Sequence, residues 1–580
     1  MNNLKPLIPY LRAHQGAILL GVLTSLIGTI LALLQPFLIG SAIDALQHNR
    51  PVSDILQLAA LILGFAAVQG IFTFFTRYSI NKVSREVEYE LRRDYFAHLE
   101  RMPQTFFQGM HTGDIMARAT NDMSAVRGFI GPGILNTSNT VLMFIIASVL
   151  MFGIDAKLAV IAVLFLPLVS IAFTVIGNKM HQRYEKVQAQ FGNLSTRAQE
   201  NFSGIRVIKA YAQEDLEIGR FAKANREYVR LAMDYQRLSG LLWPLMTFVL
   251  GVTAGIILFV GGSEVIAGHI TLGQFVQFNG YLGMLSWPMI ALGWVVNLYQ
   301  QGVASMGRIS EVMRQEPAIA DRPTALPVTA IRGEIEFRDV GLNYGGQPVL
   351  NGLSFHVPAG QTLAILGATG AGKTSIVNLI TRVYEAQQGQ VLIDGVDVRD
   401  LPLAVLRRAV GMVPQDTFLF SVALRENVSF GVDQVDEGRL AQAVTVARLS
   451  NDIDQFPQGL DTVIGERGVT LSGGQKQRTA IARAVMRDPA ILILDDALSS
   501  IDTATQAEIL QGLQSVLAGR TSLIIAHRIS TVKAADQIIV LDDGHVIEQG
   551  RHQELVARGG VYAQMYRREL LSQELEVEVE

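Results

Sequence analysis

The chain contains no cysteine, so disulfides, thiol catalysis and cysteine–zinc sites are excluded. Charge is also scarce: Asp, Glu, Lys and Arg make up 17% of the 580 residues, and mean hydropathy is +0.29. The scarcity is uneven. Five stretches carry none of the four charged types: Ala17–Ile43, Ile55–Thr76, Gly128–Ile154, Leu158–Asn178 and Leu238–Ser263. Val265–Gly307 is a sixth; its Gly268–Gly273 start reads as a turn, and about Leu272–Tyr299 as a span. Each stretch reaches the roughly 20 apolar residues that a helix needs to cross a bilayer. Six in series exclude an ordinary soluble protein. No span has a charged residue near its middle, so the membrane part offers no ion-pairing site. A net charge of −4 and a pI near 6.2 give no sign of a nucleic-acid partner.

Where charge is present, it orients the chain. Arg77–Arg127 and Lys179–Arg237 hold nineteen Lys and Arg between them, whereas the other connections hold only Arg50 and Lys157. Positive charge marks the cytoplasmic side, and six spans bring both termini to that face. The basic segments read as helices. Glu86, Glu88, Glu90, Arg92, Arg93 and Asp94 interleave with an apolar stripe of Val83, Val87, Leu91 and Phe96. A hairpin of about 25 residues out and back extends on the order of 35 Å beyond the bilayer. Its tips, Phe106–Arg118 and Ser203–Glu214, are candidate contact points. The first apolar run is too long for a secretory signal and lacks a cleavage pattern. With no targeting extension evident, the plasma (inner) membrane is the expected location.

After about Ile331, short apolar strands alternate with helices, as in an α/β domain. Gly367-Ala368-Thr369-Gly370-Ala371-Gly372-Lys373-Thr374 satisfies G-x-x-x-x-G-K-[ST] between the apolar run Thr362–Leu366 and a helix opening at Ser375. Glycines let backbone N–H groups close on phosphates, and the helix N-terminus adds positive potential. Lys373 supplies a cationic head for ATP, and Thr374 a hydroxyl for Mg²⁺. Ile491–Asp495 is a buried strand ending in a Mg²⁺-directed carboxylate. Ahead of it, Leu471-Ser472-Gly473-Gly474-Gln475 presents a hydroxyl and N–H groups for a γ-phosphate.

Together these motifs resemble the half-transporters of the ATP-binding cassette (ABC) exporter family along essentially the whole chain. The resemblance implies an α-helical six-span transmembrane domain with long cytoplasmic helical extensions, fused to an α/β P-loop nucleotide-binding domain. The implied division is 1–305 for the membrane domain, 306–330 for a linker, 331–570 for the nucleotide domain and 571–580 for an acidic tail. By position, Tyr344 matches the aromatic that stacks on adenine, Gln415 the glutamine that senses Mg²⁺ and the attacking water, and His527 the γ-phosphate switch. Ser499–Asp502 matches the loop that crosses to the opposing domain, and Gly465–Gly468 a segment that meets the hairpin tips. In this family each ATP lies between one chain's P-loop and the other chain's signature, so the implied partner is a second half-transporter.

The sequence departs from the family at Asp496, where a glutamate normally polarises the attacking water. The side chain is one methylene shorter and falls about 1 Å back, a misplacement that can cost on the order of 10²-fold in rate. In the family this aspartate marks the slow half of a heterodimer, and the intact Leu471–Gln475 suits completion of a partner's active site. His527 is retained, which keeps a homodimer open. Cargo is read from the spans. Gln274, Gln277, Asn279, Tyr281, Trp287, Trp294 and Asn297, with Asn136, Ser138 and Asn139, suit hydrophobic or amphipathic compounds or lipids. An importer with the same architecture remains an alternative.

Overall fold

The computed structural model describes residues 2–465 and 470–579; the side chains of 2, 165–170, 172–174, 243, 250, 286–287, 289–290, 292–293, 503–504 and 572–579 lie outside the description. Contacts divide the chain into two compact units. One comprises Met1–Glu100 and His111–Gln315, the other Arg101–Met110 and Glu316–Glu580.

The first unit is helical. Its long helices are Gln15–Gln47, Val52–Leu99, Ile134–Ile154, Ala156–Ser203, Glu214–Ile266 and Leu272–Met313. Among the described residues, four helical stretches are long and apolar enough to cross a membrane: Gln15–Gln47, Val52–Leu99, Thr112–Ile154 and Glu214–Ile266. Ala156–Ser203 and Leu272–Met313 carry the other two charge-free runs. The helices do not stop where the apolar runs stop. Val52–Leu99 and Ala156–Ser203 have 48 residues each, more than twice the roughly 20 needed for a span. Leu272–Met313 likewise runs eight residues past 305, into the stretch read as linker. The hairpin tips hold short helices, Ile205–Ala210 in this unit and Gln104–Gly109 in the segment grouped with the second.

Pro132 explains an irregularity before Ile134. Proline lacks an N–H and clashes with the preceding turn, and the backbone at Phe129–Gly133 widens into a π-turn that accommodates it. Along Val52–Leu99, Val83, Val87 and Leu91 are buried as expected, but Phe96 is 62% exposed. The stripe continues instead through Tyr95 and Leu99, because steps of four residues stay on one helical face and a step of five leaves it. Glu88 is buried among Arg85, Arg92 and Arg127, and Asp122 pairs with Arg308 and Ser305. These pairs tie the charged ends of the helices together.

The first and last long helices cross at glycines. A Cβ on Gly40 would sit 2.5 Å from the Gly273 carbonyl oxygen, and one on Gly280 would sit 2.8 Å from Pro36 Cβ. Asp44 completes the contact by accepting hydrogen bonds from the Thr271 hydroxyl at 2.7 Å and the Gly273 N–H at 2.8 Å. Small residues let helix backbones approach in lipid, where apolar surface alone gives no drive to associate.

The second unit is α/β. A four-stranded antiparallel sheet has the order β2-β1-β4-β5, with β1 at Ile335–Tyr344, β2 at Gln347–Val357, β4 at Gln388–Ile393 and β5 at Val396–Asp397. A six-stranded sheet has the order β10-β9-β3-β8-β7-β6. Its members are β3 (Thr362–Gly367), β6 (Val410–Val413), β7 (Ile491–Asp495), β8 (Thr521–Ile525), β9 (Gln537–Asp542) and β10 (His545–Gly550). All neighbours in it are parallel except β9 and β10. Strands β7 and β8 are buried at every residue, as a sheet covered on both faces requires.

Gly273→Ala should break the closest helix crossing. Overpacking of this kind costs roughly 1–3 kcal/mol, so the apparent melting temperature in detergent should fall by several degrees. An unchanged value would show that the crossing has slack.

Candidate nucleotide site

Strand β3 delivers the phosphate loop. Its glycines are required by geometry at two places. Gly367 has φ 154° and a Cβ there would run into the Leu541 carbonyl; Gly372 has φ 95° and would strike the Val349 carbonyl. Lys373 and Thr374 then open the helix Lys373–Ile380. The Lys373 ammonium folds back across its own loop, donating to the Gly367 carbonyl at 2.9 Å and the Ala368 carbonyl at 2.8 Å. Its burial lowers its pKa, and the nearby Asp495 and Asp496 pull it back up. The loop therefore encloses a cation whose partners are only carbonyl dipoles, an arrangement suited to an incoming phosphate. Ala368, Thr369, Gly370 and Ala371 complete the loop, with Gly370 at φ 87°.

The sheet order sets the other candidates beside that loop. Strands β3, β8, β7 and β6 lie side by side and run the same way. Their carboxyl ends carry, in spatial order, the phosphate loop, His527, Asp495 with Asp496, and Gln415. These residues are far apart in sequence, and ligands of open α/β sheets bind at this edge. Asp496 adopts φ 49°, a left-handed conformation that aspartate tolerates, and its N–H donates to the Ile525 carbonyl at 3.0 Å. That bond ties the end of β7 to the end of β8.

Asp495 is 2% exposed, and its Oδ2 has no hydrogen-bond partner among the described residues. Burial raises its pKa; the Thr374 hydrogen bond opposes the rise, Asp496 adds to it, and Lys373 and His527 oppose it. A buried carboxylate oxygen lacking a partner, beside a hydroxyl, fits a hard cation such as Mg²⁺. Thr374 and Asp495 would hold it, with Gln415 exposed at the neighbouring strand end.

The signature forms the start of helix Gly473–Met486. Ser472 and Gln475 make a reciprocal capping box, Ser472 N–H to Gln475 Oε1 at 2.9 Å and Gln475 N–H to Ser472 Oγ at 3.3 Å. Two of its residues thus have a local structural role. Gly474 has another, since a Cβ there would lie 3.1 Å from the Ser500 carbonyl oxygen. Two residues escaped the sequence reading. Asp452 receives Gln475 Nε2 at 3.1 Å and both nitrogens of Arg478. Gln477, 4% exposed, donates to Ser499 Oγ at 3.0 Å and accepts the Ser500 N–H at 2.9 Å, while Ser499 Oγ donates to the Asp496 carbonyl. Only their spacing from the signature could have flagged them, and spacing does not reveal a tertiary partner.

Tyr344 donates to Ser375 Oγ at 3.2 Å and packs edge-on against Tyr384 at 4.9 Å, so its ring stands next to the phosphate-loop helix. Gln108, from the first hairpin tip, hydrogen-bonds Tyr384 within the same unit. Of the segment Gly465–Gly468, residues 466–468 lie outside the described residues. Among the span residues, Asn139 Oδ1 accepts from Ser25 and Thr29, Asn136 and Asn279 donate to carbonyls one turn back, and Gln274 caps its helix. Gln277 donates to the Tyr281 hydroxyl, which leaves Trp294 (47% exposed) and Asn297 as open surface; the Trp287 side chain lies outside the description.

Family models match residues 18–289 as ABC transporter transmembrane region and 350–499 as ABC transporter. A probable multidrug resistance ABC transporter ATP-binding/permease protein, YheI of Bacillus subtilis, is 36% identical over 574 residues, 98% of each chain. An ATP-dependent lipid A-core flippase of Syntrophus aciditrophicus is 34% identical over 98% of this chain and 94% of its own. A solved structure of a bacterial Atm1-family ABC exporter with ATP bound covers 96% of this chain and 98% of its own, with 30% identity and a TM-score of 0.79. The chain belongs to the exporter-type ABC transporters, membrane proteins that couple ATP hydrolysis to transport.

Proposed function

We propose that this chain is one half of a dimeric exporter that moves hydrophobic or amphipathic compounds, drugs or lipids, out of the cytoplasm by alternating access. The observation that carries the reading is the row of strand ends holding Lys373, His527, Asp495, Asp496 and Gln415 on a chain with membrane-length helices. The cargo class is supported by the multidrug and lipid A names of the relatives and by spans free of charge. Basic residues between the second and third spans and between the fourth and fifth support a cytoplasmic nucleotide unit in the plasma (inner) membrane.

In this reading Lys373 leaves its loop carbonyls for the β- and γ-phosphates of ATP, and Tyr344 stacks on the adenine. Asp496 accepts a hydrogen bond from the attacking water, and His527 and Gln415 meet the γ-phosphate region. Ser472, Gly473, Gly474 and Gln475 face the nucleotide of the partner half-transporter. Bound Mg²⁺ neutralises developing charge on the phosphate oxygens. ATP binding favours the closed pair of nucleotide domains and hydrolysis resets it, with the hairpin tips carrying the change to the spans. The grouping of Arg101–Met110 with the nucleotide unit supports that last role.

The partner is a different chain, and the P-loop site of this one hydrolyses slowly. The short Asp496 and the intact signature support this division. Retention of His527 favours a second reading, a homodimer with two slow sites.

Native mass measurement of the complex purified from its own membranes separates the two: unequal halves support the heterodimer, and twice 63.4 kDa overturns it. In the homodimer, Asp496→Glu should raise steady-state phosphate release several-fold. The left-handed backbone there costs a glutamate roughly 1–2 kcal/mol of stability, a cost shared by ground and transition states, so an unchanged rate in a folded variant would show that side-chain length does not limit hydrolysis. Trp294→Ala should alter export of at least one amphipathic dye without changing basal ATPase; equal loss of both would indicate a folding defect.

A further inference from the structure

His527 lies just beyond β8, and the residues after it form the short helix Ile529–Val532. That helix has no side-chain cap of its own. Arg528, at the capping position, turns its guanidinium to Gln506 Oε1 at 3.3 Å. The cap comes from 40 residues further along the chain: Glu569 Oε2 accepts the Ile529 N–H, and Oε1 accepts the Ser530 N–H at 3.0 Å. Two oxygens of one carboxylate on two successive N–H groups define both position and orientation. Ile529 is 1% exposed, so its N–H has little access to water if the carboxylate is removed.

Glu569 is itself held firmly. Its helix, Val561–Val579, begins at a second carboxylate clamp, where Glu548 accepts the N–H groups of Val561 and Tyr562. Tyr562 is fully buried and meets His552 Nδ1 at 2.6 Å, and Tyr566 packs edge-on against the same imidazole. The helix therefore runs from an anchor on β10 to a grip on the backbone next to His527. None of these contacts is part of the nucleotide-binding motifs.

We propose that Glu569 is a positioning residue for His527. By fixing the backbone two and three residues downstream, it presents the imidazole at the γ-phosphate and makes the C-terminal helix part of the hydrolytic apparatus. The inference rests on the reading of His527 as the residue that meets the γ-phosphate.

The test is a double-mutant cycle on ATP hydrolysis at the site built on this chain's own P-loop, read in the intact transporter reconstituted in lipid, with the partner's P-loop site inactivated if the partner is a different chain. Glu569→Ala should lower kcat about tenfold with less than about a twofold change in KM for ATP, the pattern of lost alignment rather than lost binding. Glu569→Gln keeps one carbonyl oxygen as acceptor and should fall between Ala and the parent. In a His527→Ala background, Glu569→Ala should add almost nothing, because the group it positions is gone. An unchanged kcat in Glu569→Ala overturns the proposal, as does an equal fold-loss with and without His527, which would indicate general weakening. If Glu569→Ala does not accumulate, the Gln variant decides: a parental kcat overturns the inference. Should His527→Ala alone leave kcat unaffected, the inference also falls, and the fault lies in the assignment of His527.

Discussion

A carboxylate buried without full compensation organises the nucleotide unit. Asp495 ends a strand buried on both faces, where an unpaired charge is costly. One of its oxygens has no partner, and across the site Lys373 is a buried cation satisfied only by carbonyls. Burial disfavours the charged form of each. A phosphate alone would compensate the lysine and worsen the aspartate, and a cation alone would do the reverse. Beyond the partial compensation the two groups give each other, an anion and a cation arriving together satisfy both, as a metal-bound nucleotide would. The sheet order, the glycine-strained loop and the Asp496–Ile525 tie hold these two groups at the same edge of the sheet.

A second set of contacts is tied to the first. Gln477 binds the signature helix to Ser499 and Ser500, and Ser499 is bonded to the Asp496 carbonyl. Arg478 and Gln475 of the same helix are anchored on Asp452. The capping box therefore sits on a helix whose first turns are gripped from two sides. Two hydrogen bonds, Gln477 to Ser499 and Ser499 to the Asp496 carbonyl, thus join that helix to the backbone of the residue beside Asp495.

The local parts of this arrangement are legible in the sequence and the non-local parts are not. Gly367–Thr374 is contiguous, and its glycines are dictated by backbone conformation that no other residue adopts easily. The charge-free runs are legible because a bilayer imposes length and apolarity directly. Strand order is different. That β8 lies between β3 and β7, bringing His527 to the phosphate loop, depends on one pairing, β3 with β8, across more than a hundred residues. Phe96 shows the limit on a smaller scale: its apolarity suggested the buried stripe, but a step of five residues turns it outward and Tyr95 takes its place. Glu569 had no signal at all, since a carboxylate in a charged C-terminal helix looks like solvated surface until its two N–H partners are seen. Serine and glutamine of the signature carry a structural duty beside the chemical role proposed for them, so residue type alone does not separate the two.

The uninterrupted helices have a mechanical consequence. A 48-residue helix such as Val52–Leu99 is a rod of about 72 Å at 1.5 Å rise per residue. Turned through about 5° at one end, such a rod sweeps its far end through about 6 Å, more than one helical turn of rise. A break at the membrane surface would have absorbed that rotation in a hinge. With the helix continuous, the gearing is set by length alone, so a sub-ångström rearrangement near one tip becomes a displacement of several ångströms at the other. Lengthening or shortening the rod would change the stroke without altering any residue that touches nucleotide or cargo.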